Sequence, residues 1–421
     1  MLINLSLEEK RKVFDIEVKK HKAFCGMNLS LNMARGKPAP EQLDISNGLL
    51  DELNSSIKFT GDDYRNYGIL DGIPEMKTLF CDFLNVEKDE IIVNENASLI
   101  LMYDSLQRAM QFGVLGEKPW NQQGKIKWLC PVPGYDRHFA ITELFGIEMI
   151  NIPMDENGPD MNMVEELAKD PQVKGIWCVP KYSNPSGVVY SDEIVDRFAK
   201  LKPAAKDFRI FWDNAYMVHW LYEDDNLLDI LAQAKKYGNE NIVYIFGSTS
   251  KITFAGAGVA FMVASKENIK SLKSLMSIQS IGPNKLVQLA HFKFLKDKDN
   301  IQKIMGKHAD ILRPKFERVL EVLNEELGNS GIATWLNPRG GYFVACNLYP
   351  GTAKRTVELS KFAGVIFTDS GATYPYKRDP EDSSLRIAPS FPSYKDLGIA
   401  MQVFCNSAKL AYLEKELGQR V

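Results

Sequence analysis

Apolar residues are distributed along this chain in two rhythms. Near the start, Val13, Phe14, Ile16 and Val18 follow Ser6 at positions suited to a helix, and Glu9, three residues after that serine, completes a capping box. A helix is predicted there, ending before Gly26. Between about residues 90 and 265 the rhythm changes to short, β-branched apolar runs separated by helix-length polar segments. The runs are Ile91–Val93, Ile126–Cys130, Glu148–Ile152, Gly175–Val179, Ile210–Trp212, Ile242–Phe246 and Val259–Val263. Apolar runs alternating with helices belong to strands covered on both faces. The pattern therefore predicts an α/β fold, a mostly parallel sheet with helices on both sides.

Beyond about residue 310 the order becomes a long helix, a strand (Tyr342–Asn347), a helix near Thr356 to Phe362, a strand (Leu385–Ala388) and a final helix. Together with the N-terminal helix this predicts a smaller α+β domain made of residues 1–50 and 310–421, set against a large domain of residues 51–309. No internal repeat or low-complexity linker separates the two, so close packing is expected.

Composition narrows the possibilities. With 45% hydrophobic and 25% charged residues in 421, the chain matches an ordinary soluble globular protein, not a disordered, collagen-like or disulfide-scaffold one. Lys and Arg total 51 against 54 Asp and Glu, with no basic stripe, which argues against a nucleic-acid partner. The six cysteines are scattered singly, a usage expected of a reducing cytoplasm. The N-terminus alternates acidic and basic residues, so no signal peptide is expected. The apolar stretch Gly258–Ala264 is far shorter than the roughly 20 residues a membrane span needs. The five histidines show no ligand spacing, and no metal is expected.

The segment richest in possible chemistry is Gly247-Ser-Thr-Ser-Lys251, directly after an apolar run. A lysine at the end of a buried strand can lose its ammonium hydration, have its pKa lowered and act as a nucleophilic amine able to form a Schiff base. Taken alone it reads as an exposed loop lysine, and only the company of other motifs changes that. Asp213-Asn-Ala-Tyr216 follows Ile210–Trp212 and should emerge at the same edge. Its carboxylate can keep a pyridinium nitrogen protonated, and Tyr216 can donate to a ring oxygen; alternatively Asp213 caps a following helix. Asn184, in Ser183-Asn-Pro-Ser-Gly187, can reach a phenolic oxygen or simply begin a turn. Asn96-Ala97-Ser98, before a helix from Leu99, suits a phosphate or an ordinary cap. Tyr135, in Pro133-Gly-Tyr135, can stack on a flat cofactor or pack in the core.

In this order, Asn-Ala-Ser, Pro-Gly-Tyr, Asn-Pro-Ser-Gly, Asp-Asn-Ala-Tyr and Ser-Thr-Ser-Lys resemble the fold-type I pyridoxal-phosphate enzymes, and within them the class I aminotransferases. Ala34-Arg-Gly-Lys-Pro38, Tyr67 with Gly72, Arg339-Gly-Gly-Tyr-Phe343 and Leu385-Arg-Ile387 extend the likeness over nearly the whole chain. Ala-Arg-Gly-Lys-Pro and Thr-Ser-Lys-Ile-Thr-Phe-Ala-Gly-Ala-Gly resemble the divergent aspartate aminotransferase-like branch. The resemblance implies pyridoxal 5′-phosphate as cofactor, with Lys251 as the Schiff-base lysine, Asp213 at the pyridine nitrogen, and Asn184 and Tyr216 at the phenolic oxygen. It implies Tyr135 stacked on the ring, and Asn96, Ala97, Ser98 and Ser248 around the phosphate. Tyr67 matches a tyrosine that reaches the phosphate of a neighbouring subunit, which implies a homodimer. Arg386 matches the arginine that grips the substrate α-carboxylate, and Gly36 the point where the chain closes over substrate. A surface salt bridge, with Asp382 close by, is the other reading of Arg386.

One departure stands out. Many relatives carry a phosphate-pairing arginine eight positions after the lysine, where this chain has Val259. The nearby glycines Gly256 and Gly258 lack the third glycine and the strand-to-helix turn of a dinucleotide loop. The expected activity is amino-group transfer by a ping-pong mechanism between an L-amino acid and a 2-oxo acid, with aspartate and 2-oxoglutarate preferred from resemblance. Two rivals share the motifs: another reaction on the same cofactor, such as a β-lyase, and a non-catalytic aminotransferase-like binding protein. Arg339 is read as a rim arginine or a contact for a second substrate carboxylate.

Overall fold

The structure, a computed structural model, describes residues 1–59 and 61–421. Its centre is a seven-stranded sheet in the order Ile91–Val93, Ala260–Ala264, Val243–Ser248, Arg209–Asp213, Val173–Cys178, Lys127–Val132, Glu148–Pro153. All strands run parallel except Ala260–Ala264, which lies antiparallel to both neighbours. The sheet needs two covered faces because both sets of alternating side chains are apolar. Ile210, Trp212, Val243 and Ile245 enter one core, while Phe211, Tyr244 and Phe246 enter another with Trp128 and Trp177.

Helices cover the sheet and begin at caps written in the sequence. Ser191 accepts from Ile194 N–H, Ser265 from Asn268 N–H, and Asp229 from the N–H groups of Leu231 and Ala232. The N-terminal helix spans Leu7–Cys25 with the expected Ser6/Glu9 capping box.

A second apolar core gathers Phe14, Phe316, Val344, Leu385, Met401 and Phe404. It packs against an antiparallel sheet of Ser384–Ile387, Val344–Leu348 and Ala333–Trp335 and the final helix Tyr394–Leu417. A two-residue parallel pair, Leu31–Asn32 with Val365–Ile366, ties the N-terminal segment to this half. The helix Lys298–Leu327 joins the cores: Ile301, Ile304 and Met305 pack into the first, Leu312, Phe316 and Val319 into the second. It starts earlier than the sequence pattern suggests, at a cap formed by Asp297 on Asn300 N–H.

Because Ile91–Val93 is parallel to Val243–Ser248, six strands present their carboxyl ends on one edge. Asn96, Tyr135, Asn184, Asp213 and Lys251 all follow or end these strands, which is where open α/β sheets bind ligands.

Candidate active site

Lys251 sits in a tight turn whose carbonyls and hydroxyls are tied down on every side. Thr249 O accepts from the N–H groups of Ile252 and Thr253, and Thr249 Oγ1 accepts from Val259 N–H. Two buried histidines brace the turn from behind. His308 donates through Nε2 to Ile252 O at 3.0 Å, and Thr253 Oγ1 donates to His291 Nε2 at 2.9 Å. His308 Nδ1 in turn accepts from Gln42 Nε2, which also donates to Tyr342 Oη. Burial holds both imidazoles at about 4, so they stay neutral and each keeps one donor and one acceptor nitrogen.

The Lys251 amine lies 4.8 Å from the centroid of the buried Tyr216 ring. Burial pulls its pKa below the usual lysine range, and the negative charge of Asp213 opposes that only in part. The exposed-loop reading of Lys251 fails on this burial. Burial also pushes the Tyr216 phenol well above its ordinary value, so Tyr216 remains a hydrogen-bond donor. His219, whose ring packs edge-on to Tyr216 with 5.7 Å between centroids, is buried with neither nitrogen partnered. Burial first, then the lysine charge, drives it well below the usual histidine range.

Asp213 caps no helix: it ends its strand, and the next helix begins only at Ile230. Its Oδ2 accepts from His138 Nε2 at 3.0 Å, while its Oδ1 is buried without a partner. A buried, partnerless carboxylate oxygen fits a protonated ring nitrogen of a cofactor, since such an acceptor is otherwise costly. His138 is held by stacking on Trp177, with centroids 4.3 Å apart and planes 10° apart, and meets Tyr135 edge-on at 4.9 Å. The sequence reading tested His138 only as a metal ligand. The signal for its role is its place three residues after Tyr135, on the first turn of helix Asp136–Leu144, where i and i+3 side chains meet.

Arg386 lies in strand Ser384–Ile387, buried, with Phe343 4.8 Å from its Cζ. Its Nη1 donates to Asn184 Oδ1 at 3.2 Å and to Asp136 Oδ1 at 3.0 Å. It therefore makes no surface bridge with Asp382, which instead accepts from Ser370 Oγ and Lys354 N–H. Since Asn184 Oδ1 accepts from the arginine, its Nδ2 is left as the donor for another oxygen. Gly36 packs so tightly on Phe343 that a Cβ there would lie 2.3 Å from the ring.

The residues proposed around a phosphate are partly joined. Ser248 Oγ donates to Ser250 Oγ, and Ser250 Oγ donates to Asn96 O at 3.2 Å. Helix Ser98–Phe112 begins at Ala97 with no side-chain cap, so neither Asn96 nor Ser98 acts as a cap there. Val259 is buried in the core and supplies no charge. Tyr67 stands on the surface of its own chain. It is 82% exposed and lines a cavity of about 710 Å³ with Arg65 and Ser280–Lys285. Arg339 is an exposed rim residue paired with Glu223 and Asp225. Among the described residues no group of histidines, cysteines or carboxylates could hold a metal ion, and no helix is long and apolar enough to cross a membrane.

An amine of lowered pKa and a half-partnered carboxylate thus meet at the carboxyl edge of the sheet, and the chain has the fold of a fold-type I pyridoxal-phosphate enzyme. Comparison with known proteins narrows the class. The chain belongs to the aspartate aminotransferase family, whose model matches residues 6–420. It is 44% identical over 417 residues to an aspartate aminotransferase of Corynebacterium glutamicum, covering 98% of this chain and 95% of that one. The crystal structure of an aspartate transaminase from C. glutamicum superposes with a TM-score of 0.96 at 43% identity, covering 98% and 99% of the two chains. At 20% identity, an α-aminoadipate aminotransferase of Thermus thermophilus in complex with N-(5′-phosphopyridoxyl)-L-leucine shares the fold, with a TM-score of 0.74 over 92% and 93% of the chains. The protein is an aminotransferase that uses pyridoxal phosphate.

Proposed function

We propose that this aminotransferase moves the amino group of L-aspartate to 2-oxoglutarate, working as a homodimer in the cytoplasm. The observation that carries the site assignment is the pairing of a half-buried Lys251, its pKa lowered by desolvation, with Asp213, whose Oδ1 is buried and unpartnered. The substrate assignment is supported by the aspartate-specific names of the relatives that align over almost the whole chain. The homodimer is supported by the outward-facing Tyr67 and by the exposed apolar residues Ile278 and Ile281 beside the cavity it lines. Six free cysteines fit a reducing compartment.

In this reading, pyridoxal phosphate supplies an electron sink that makes the proton on the substrate Cα acidic. The other work belongs to the chain. Lys251 would hold the cofactor, and its amine, when free, would take the proton from the substrate Cα and deliver it to the cofactor carbon joined to the substrate nitrogen. A lowered pKa leaves more of that amine unprotonated near neutral pH, as a base requires. Asp213 Oδ1 holds the ring-nitrogen proton, with His138 fixing the carboxylate from its other oxygen. Tyr216 and Asn184 Nδ2 donate to the phenolic oxygen, and Tyr135 packs on the ring. Asn96, Ala97, Ser98 and Ser248 receive the phosphate through hydroxyls and backbone N–H groups, without an arginine at 259. Arg386 orients the α-carboxylate, and Gly36 lets the N-terminal segment close on Phe343.

An assay for glutamate formed from 2-oxoglutarate, the product common to every amino donor, tests the substrate preference directly. L-Aspartate should exceed L-alanine and L-leucine at least tenfold in kcat/KM with 2-oxoglutarate as acceptor. A preference for another donor would overturn the substrate assignment, and turnover by Lys251→Ala near the wild-type rate would overturn the site.

A further inference from the structure

Arg386 is already engaged by a carboxylate of its own chain. Nη1 donates to both Asp136 Oδ1 and Asn184 Oδ1, whereas Nε is buried with no partner. One terminus of the guanidinium is thus tied and its Nε edge is free, and that edge can take both oxygens of a carboxylate. We propose that Asp136 is a built-in competing carboxylate: it is the counter-ion of Arg386 between turnovers and weakens the grip of that arginine on the carboxylates of substrates and products. The inference rests on the reading of Arg386 as the α-carboxylate arginine.

Three observations fix the sign of the effect. Arg386 is buried, and among the described residues Asp136 makes its one ion pair, so without Asp136 the guanidinium would stand uncompensated at low exposure. A ligand carboxylate on the free edge makes two anions share one cation, and Arg386 itself is only 7% exposed, so salt screens the competition poorly. Asn184 also holds the same Nη1, so the guanidinium stays oriented when the Asp136 charge is removed. Charge loss therefore outweighs orientation loss, and neutralising Asp136 tightens carboxylate binding. The side chain is 36% exposed at the first position of helix Asp136–Leu144, so Asp136→Asn is compatible with the fold. In the working enzyme the same competition favours release of each carboxylate product.

The test is calorimetric binding of succinate, an unreactive dicarboxylate, to the cofactor-loaded enzyme and to Asp136→Asn, Arg386→Gln and the double variant. Asp136→Asn should lower the dissociation constant about 5- to 20-fold, and Arg386→Gln should raise it about tenfold or more. In the double variant the gain from Asp136→Asn should shrink below about twofold, because the arginine through which it acts is gone. A dissociation constant for Asp136→Asn that is unchanged or higher, with Arg386→Gln still weakening binding, overturns the inference and leaves the arginine assignment standing. No effect of Arg386→Gln overturns the assignment, and the inference with it.

Discussion

Replacing His138 by phenylalanine isolates the hydrogen bond that, among the described residues, holds the Asp213 side chain. A phenyl ring keeps the 4.3 Å stack on Trp177 and fills nearly the same buried space, so packing is conserved while Nε2 is lost. What disappears is the 3.0 Å bond to Asp213 Oδ2, inside a site where that carboxylate is almost fully buried. A hydrogen bond to a charged group contributes about 1.5–3 kcal/mol. Felt wholly in the proton transfer that depends on Asp213, this loss corresponds to a roughly 10- to 150-fold fall in kcat. His138→Gln, which restores a donor of similar reach, should recover part of the rate. The assay is steady-state kcat for both variants, with circular dichroism and the thermal midpoint as checks that the fold persists. A folded His138→Phe enzyme with kcat within threefold of wild type would refute the reasoning.

Two further outcomes are expected. In Gly36→Ala the new Cβ meets the Phe343 ring, and because that ring covers Arg386, KM for both substrates should rise several-fold with the overall fold intact; an unchanged KM would separate Gly36 from substrate binding. His291 and His308 titrate in the fold at about 4, below their unfolded value near 6.5, so their contribution to stability is full above pH 6.5 and is lost as pH falls towards 4. Each shift corresponds to about 3 kcal/mol at the acid end, so His308→Gln should flatten the fall in urea midpoint between pH 7 and pH 5, and an unaltered slope would contradict the bracing role.

The strands of the large sheet were legible because they are uninterrupted apolar runs, and each of the seven overlaps a predicted one within a few residues. Their direction was not: nothing in Ala260–Ala264 distinguishes an antiparallel strand from its parallel neighbours, since both are buried on two faces. Leu31–Asn32 and Val365–Ile366 are too short for any periodicity. The motif-bearing residues of the site stood out because strand ends are marked by a change from apolar to polar residues. What supports them did not, because His308 meets Ile252 across 56 residues and Arg386 meets Asp136 across 250. Such partners depend on how the helices pack, and no local pattern encodes them. Tyr67 shows the same limit from the other side, since within its own chain it is exposed on the wall of a surface cavity.

The proposal at the centre of this account is that Lys251 holds pyridoxal phosphate and that the cofactor takes up the amino group of L-aspartate. The most direct measurement is the visible absorption spectrum of the purified protein with pyridoxal phosphate, followed as L-aspartate and then 2-oxoglutarate are added. A yellow band that forms with the wild type but not with Lys251→Ala, bleaches with aspartate and returns with the oxo acid is the predicted result. No band at saturating cofactor, or the same band in Lys251→Ala, would contradict the account.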